Sequence, residues 1–127
     1  MHTSLKTYIV EDNVTIRENL IGTLEELTSI EAVGYAEAEN EAREWLHTHG
    51  REWELAIVDL FLKQGSGLGV VQECLQREPH QKVVVLSNYA TNDMRERSRA
   101  LGADAFFDKS AEIDQLLAYC EAAHRAT

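Results

Sequence analysis

Apolar residues fall in short, nearly continuous runs: Tyr8 to Val10, roughly Ile30 to Ala36, Leu55 to Val58, Val83 to Leu86 and Ala105 to Phe107. Several are β-branched, which suits strands buried on both faces. The second run is the weakest, because Glu31 and Gly34 interrupt it. Between the runs the apolar spacing changes to that of helices with one buried face. Ile16, Leu20, Leu24 and Leu27 are expected on one face of the first helix, and Ala42, Trp45 and Leu46 mark the second. Leu68, Val71 and Leu75 mark the third, and Met94, Ser98 and Leu101 mark the fourth, the least apolar. Ile113, Leu116, Leu117 and Cys120 mark the fifth. Pro79 and Gly102 lie between elements, where breakers belong. A βα unit repeated five times predicts an α/β fold, a doubly wound parallel sheet with right-handed crossovers.

The polar residues at the ends of the runs carry the chemistry. Glu11 and Asp12 follow the first, Asp59 the third and Ser87 the fourth, while Lys109 comes just after the fifth. In an open parallel sheet these C-terminal ends share one edge, where ligands bind. Carboxylates crowded there repel, so one would tend to hold a proton. A divalent cation removes that conflict, and hard oxygen donors with no His or Cys at a strand end suit Mg²⁺ better than Zn²⁺. A lysine, a hydroxyl and a metal around one carboxylate form a site for a phosphoryl group.

Composition narrows the classes. The chain has 127 residues, one domain's worth, without a linker, repeat or low-complexity tract. A net charge of −10 argues against direct nucleic-acid binding. Arg95, Arg97 and Arg99 form the one basic cluster and are expected on a solvated helix face. Cys74 and Cys120 fall at apolar positions and lack metal or redox spacing. The N-terminus lacks a signal-peptide core, and no run reaches membrane-spanning length, so a cytoplasmic protein is expected. His2, His47, His49, His80 and His124 are expected at the surface, and Trp45 and Trp53 are expected to pack.

Taken together, IVEDN (Glu11, Asp12), IVDLFL (Asp59), VVVLSNYA (Ser87) and GADAFFDKS (Lys109) resemble the receiver domain of two-component response regulators, across essentially all of residues 1–127. Gly67 matches the glycine after the phosphoacceptor loop. The resemblance implies a flavodoxin-like (βα)5 fold with strand order 2-1-3-4-5. It makes Asp59 the acceptor of a phosphoryl group from a sensor histidine kinase or a histidine phosphotransfer protein. Asp12, Asp59 and the backbone carbonyl of Phe61 would ligate Mg²⁺, with Glu11 acting through a metal-bound water. Lys109 would pair with the phosphoryl oxygens, Ser87 would hydrogen-bond them, and Phe106 would change rotamer with Ser87. The fourth helix, fifth strand and fifth helix would form the face that meets a downstream target or a second copy. Arg95, Arg97, Arg99, Asp104, Asp108, Glu112 and Asp114 put both charge signs near it, which permits pairing across a homodimer. Such a protein is a regulator that catalyses only its own phosphorylation and dephosphorylation.

Some positions depart from the family pattern. Asn88 stands where a very small residue is usual, and Ser110 and Lys63 stand where prolines are common. A cis Lys109–Ser110 bond would cost about 2.5–4 kcal/mol, so trans is expected. Phe61 and Tyr89 occupy the positions that tune dephosphorylation; both are bulky, which predicts slow entry of water and a long-lived phosphoryl group. One alternative is a binding module that works without phosphorylation. Another, a Mg²⁺-dependent aspartyl phosphatase, would need a second Asp where Phe61 stands. A flavodoxin-like cofactor binder would need a phosphate loop that EDNVT does not provide. Met1 fits a natural start, and a chain ending just after the fifth helix fits a stand-alone regulator or the receiver piece of a longer protein.

Overall fold

The computed structural model describes residues 4–126. Strands β1 (Leu5–Val10), β2 (Ile30–Ala36), β3 (Leu55–Val58), β4 (Lys82–Ser87) and β5 (Ala105–Asp108) alternate with helices α1 (Val14–Leu27), α2 (Glu39–Thr48), α3 (Gly67–Glu73), α4 (Asn92–Ala100) and α5 (Ile113–Ala126). All strand pairs are parallel, in the order β2-β1-β3-β4-β5. The interrupted second run is an edge strand, where partial exposure and the interruptions at Glu31 and Gly34 are tolerated.

Period-two alternation splits the strand side chains between two cores. Tyr8, Val10, Ala56, Val58, Val83 and Val85 pack under α2, α3 and α4. Ile9, Leu55, Ile57, Val84 and Leu86 pack under α1 and α5. Central strands covered on both sides explain the uninterrupted apolar runs. Phe107 belongs to the second core and Phe106 to the edge of the first. Trp53 is buried, and Trp45 stacks on Tyr8 with ring centroids 4.0 Å apart. Cys74 and Cys120 are buried, and burial pushes both thiols up to about 12.

Three sequence expectations need correction. The buried stripe of α1 runs through Arg17 and Leu24, with Leu20 and Ile21 packed beside them, while Ile16 is exposed and Leu27 is 61% exposed. The two leucine-like positions lie on the flank of the stripe, and an arginine sits inside it. In the third helix Val70 and Val71 make the core face; α3 stops at Glu73, so Leu75 falls beyond it and is 52% exposed. Among the histidines, His47 and His80 are exposed, but His124 is half-buried and His49 is half-buried against the Trp45 ring, 4.4 Å between centroids. His2 lies outside the described residues.

No helix among the described residues is long and apolar enough to cross a membrane. No described peptide bond is cis, so Lys109–Ser110 is trans as expected.

Candidate functional site

Backbone bonds continue the sheet one step past each strand and align the side chains that follow. The Glu11 N–H donates to Ala36 O (3.0 Å), the Asp59 N–H to Val10 O (3.0 Å) and the Lys109 N–H to Ser87 O (3.0 Å). Residues distant in sequence therefore meet at one sheet edge. Carboxylate oxygens of Glu11, Asp12 and Asp59 all lie within 4.8 Å of one another. Lys109 reaches in from the β5–α5 loop, and its Nζ donates to Glu11 Oε1 and to Asp59 Oδ2 (3.0 Å for the latter).

Glu11 and Asp59 are buried, and Asp12 is half-buried. Burial pushes the Glu11 carboxyl up from its ordinary value, and the Lys109 hydrogen bond only partly opposes this. For Lys109 burial pulls downward, but its bonds to Glu11 and Asp59 win and its pKa is raised. The Lys109 ammonium meets two of the three carboxylates, so negative charge remains uncompensated in a half-dry setting. Hard oxygen donors in that excess fit a divalent cation of the Mg²⁺ class.

The loops are built to leave these groups in place. Asn13 caps α1, its Oδ1 accepting from the Ile16 N–H (2.9 Å), so Asp12 is not used as the cap. The Asn13 N–H holds Glu11 Oε2 (3.1 Å), and the Lys63 N–H holds Asp12 Oδ2 (2.7 Å). The Phe61 N–H donates to Asp59 Oδ1 at 3.3 Å, which brings the residue-61 backbone against the central carboxylate. Gly67 packs directly behind: a Cβ there would lie 2.0 Å from the Asp59 carbonyl oxygen.

Ser87 is fully buried at the end of β4, and its Oγ accepts from the Tyr89 N–H (3.1 Å). Phe61 and Tyr89, 50% and 60% exposed, meet edge to face with centroids 4.7 Å apart and so join the two loops flanking Asp59. Asn88 is exposed and lines a groove of about 460 Å³ with Lys109, Ser110, Leu86, Ile16 and Ile113. Phe106 is half-buried at the edge of the first core. The Arg95 guanidinium covers its ring at 4.9 Å, donates to its carbonyl (3.3 Å) and pairs with Glu112 (2.7 Å).

Three further ion pairs near α4 and β5 lie within the chain. Arg97 pairs with Asp93, Arg99 with Glu96 and Arg77 with Asp104. Arg97 and Arg99 are solvated, as expected; Arg95 is half-buried.

Two residues near the site escaped the sequence reading. Arg17 is buried under Tyr35, its guanidinium 4.1 Å from the ring centroid, and donates to Glu11 O (3.0 Å). A cation seven residues before Leu24, on the same stripe, was the available signal. Glu39, at the start of α2, bonds the loop after β3 and had no periodic signal at all.

The chain matches the family described as "Response regulator receiver domain" over residues 7–121. It is 34% identical over 114 residues to the response regulator protein PilR of Pseudomonas aeruginosa, covering 87% of this chain and 24% of that one. It thus spans about a quarter of that relative's length. The fold is similar to that of the receiver domain of the putative response regulator NarL from Mycobacterium tuberculosis, with a TM-score of 0.83, 18% identity and coverage of 98% and 99% of the two chains. A response regulator of Burkholderia pseudomallei, solved with a phosphorylated aspartic acid and a calcium ion, matches with a TM-score of 0.76 and 23% identity over 97% of this chain and 70% of that one. A five-stranded sheet in the order 2-1-3-4-5, an acidic edge and a family match over nearly the whole length agree: this chain belongs to the response regulator receiver domains.

Proposed function

We propose that residues 1–127 form a phosphoacceptor switch in which Asp59 takes a phosphoryl group. The observation that carries this is the contact of Lys109 Nζ with Asp59 Oδ2 at 3.0 Å, beside an acidic trio in excess of its cation. Glu11, Asp12, Asp59 and the Phe61 carbonyl are the groups that would hold Mg²⁺. Bound there, Mg²⁺ supplies the charge neutralisation that lets a carboxylate approach a phosphoryl dianion.

An Asp59 carboxylate oxygen forms the new P–O bond as the P–N bond of a phosphohistidine breaks, and the imidazole leaves with that electron pair. Lys109 then exchanges a carboxylate oxygen for phosphoryl oxygens, and the Ser87 hydroxyl gives up its contact with the Tyr89 amide to donate to them. Phe106 follows Ser87, displacing Arg95 and altering the α4–β5–α5 face that a downstream target, an output domain or a second copy reads. The donor is a sensor histidine kinase or a histidine phosphotransfer protein in the cytoplasm. The edge-to-face contact of Phe61 and Tyr89 supports slow access of water and a long-lived phosphoryl group. The solved Burkholderia relative, with its phosphorylated aspartic acid, supports the same reading.

The test is intact mass after incubation with Mg²⁺ and acetyl phosphate, and with a cognate kinase once identified. The wild type should gain one phosphoryl mass and Asp59→Ala none. No gain on the wild type from either donor would leave a module that works by binding alone.

A further inference from the structure

We infer that Glu39 is a positioning residue: its carboxylate, braced by Arg43, holds the β3–α3 loop in the shape that sets the divalent-cation affinity of the acidic edge. The inference rests on reading Glu11, Asp12 and Asp59 as a cation site.

The loop touches that site twice through its own amides. Lys63 N–H holds Asp12 Oδ2, and Phe61 N–H holds Asp59 Oδ1. Wherever residues 61–63 move, those two carboxylates are re-aimed, and so is the Phe61 carbonyl. On its far side the loop is tied to the first turn of α2. Glu39 Oε1 accepts from the Ser66 N–H (2.8 Å), and the Glu39 N–H donates to Gln64 O (3.1 Å). One residue thus grips the loop by its side chain and its backbone.

Arg43, one helical turn on, holds the other oxygen. Its Nη1 donates to Glu39 Oε2 (3.1 Å) and to Gly69 O (3.2 Å), and its Nε donates to Glu73 Oε1 (3.2 Å). The brace therefore ties α2 to both the loop and α3. The carboxylate sits in a slot that two glycines leave open. A Cβ at Gly65 would come 2.4 Å from the Glu39 Cβ, and one at Gly69 would come 2.1 Å from Glu39 Oε2. Gly65 also has φ +88°, a left-handed conformation that resists a side chain. A carboxylate filling a glycine slot and meeting a loop amide and a guanidinium has one available placement. The groups behind a metal ligand fix its orientation and commonly change affinity by an order of magnitude or more.

The experiment titrates the chain with Mn²⁺, reading free ion by electron paramagnetic resonance. It compares the wild type with Asp12→Asn, Glu39→Ala, Gly69→Ala and, on the exposed side of α2, Glu44→Ala. Each is measured well below its own urea midpoint, so loss of fold is not read as loss of affinity. Wild type and Glu44→Ala should bind alike, and Asp12→Asn should lose the site. Glu39→Ala should bind about tenfold more weakly. Gly69→Ala keeps the carboxylate but pushes its flexible end out of the slot, so it should weaken binding too; it carries the test if Glu39→Ala fails to fold. In the wild type, saturating Mg²⁺ should slow hydrogen exchange at the Ser66 amide, because coupling between metal and clamp is reciprocal. Wild-type affinity in both Glu39→Ala and Gly69→Ala overturns the inference while leaving the cation site intact. A wild type that binds no Mn²⁺, or binds it as Asp12→Asn does, overturns the cation site and the inference with it.

Discussion

Where the strands begin, most buried polar groups find partners within the chain, the Trp53 indole N–H excepted. Gln81 donates to Gly50 O (2.9 Å) and Trp53 O (2.8 Å) and accepts from the Glu78 N–H (2.9 Å). Arg77 donates to Cys74 O, Gln81 O and Gly102 O and pairs with Asp104, whose carboxylate also takes the Val83 N–H. Where the strands end, Glu11 and Asp59 share the Lys109 ammonium, Asp12 accepts from the Lys63 amide, and net negative charge remains. The first end is closed but for that indole N–H, and serves stability. The second keeps an acidic excess of the kind a divalent cation would balance. Proteins hold uncompensated groups where function needs them, at some expense in stability.

The largest expected effect falls on the closed end. Arg77→Leu takes the guanidinium from Gln81 O, Gly102 O and the Asp104 carboxylate, and should lower unfolding free energy by about 2 kcal/mol in urea titration. Under conditions where it stays folded, its phosphorylation by acetyl phosphate should match the wild type. A parallel loss of phosphorylation would show that the two ends are not separable. Next comes a change at the open end. The double variant Phe61→Asn, Tyr89→Glu removes the ring pair and should speed loss of the phosphoryl group about tenfold, equal to about 1.4 kcal/mol of barrier. Its urea midpoint should scarcely move, since both rings are half in solvent. Equal or slower decay would remove the rings as a barrier to water.

The smallest effect concerns an anion near the open end that is already satisfied. Asp108 Oδ1 accepts from both the Ser110 N–H (2.8 Å) and its hydroxyl (2.7 Å), and the hydroxyl bond chiefly holds the carboxyl below its ordinary value of 3.8. A depressed carboxyl pKa adds stability above the unfolded value, and that stability is lost as pH falls through the folded one. Ser110→Ala should therefore raise the Asp108 midpoint toward 3.8 in an NMR titration and shrink the stability lost on acidification below it. An unmoved midpoint would mean that the β5–α5 loop is shaped by something else.

Much of this was legible in the chain because parallel topology is severe. Once five apolar runs alternate with helical spacing, their C-terminal residues must share an edge, and Glu11, Asp12, Asp59, Ser87 and Lys109 fall there. The illegible parts have a common cause. Glu39, Arg77 and Gln81 bind backbone atoms far away in sequence, and Arg17 lies under the distant Tyr35 ring; no local period marks a side chain with such a partner. The face of α1 was misjudged for a related reason. Leu27 looks like a core residue by type, but it is the last residue of α1 and lies on the flank of the buried stripe, and Arg17 takes a place in the stripe because its charge has Glu11 O and the Tyr35 ring to meet.

The two tryptophans have a practical consequence. Trp53 sits under the closed end and passes its carbonyl to Gln81, while Trp45 lies flat between Tyr8 and His49. Neither indole is among the groups that surround Asp59. Their emission should follow the packing of the α2 side of the sheet and stay nearly silent to events at the acidic edge, so a fluorescent signal for phosphorylation would have to be engineered into the loops joined by Phe61 and Tyr89.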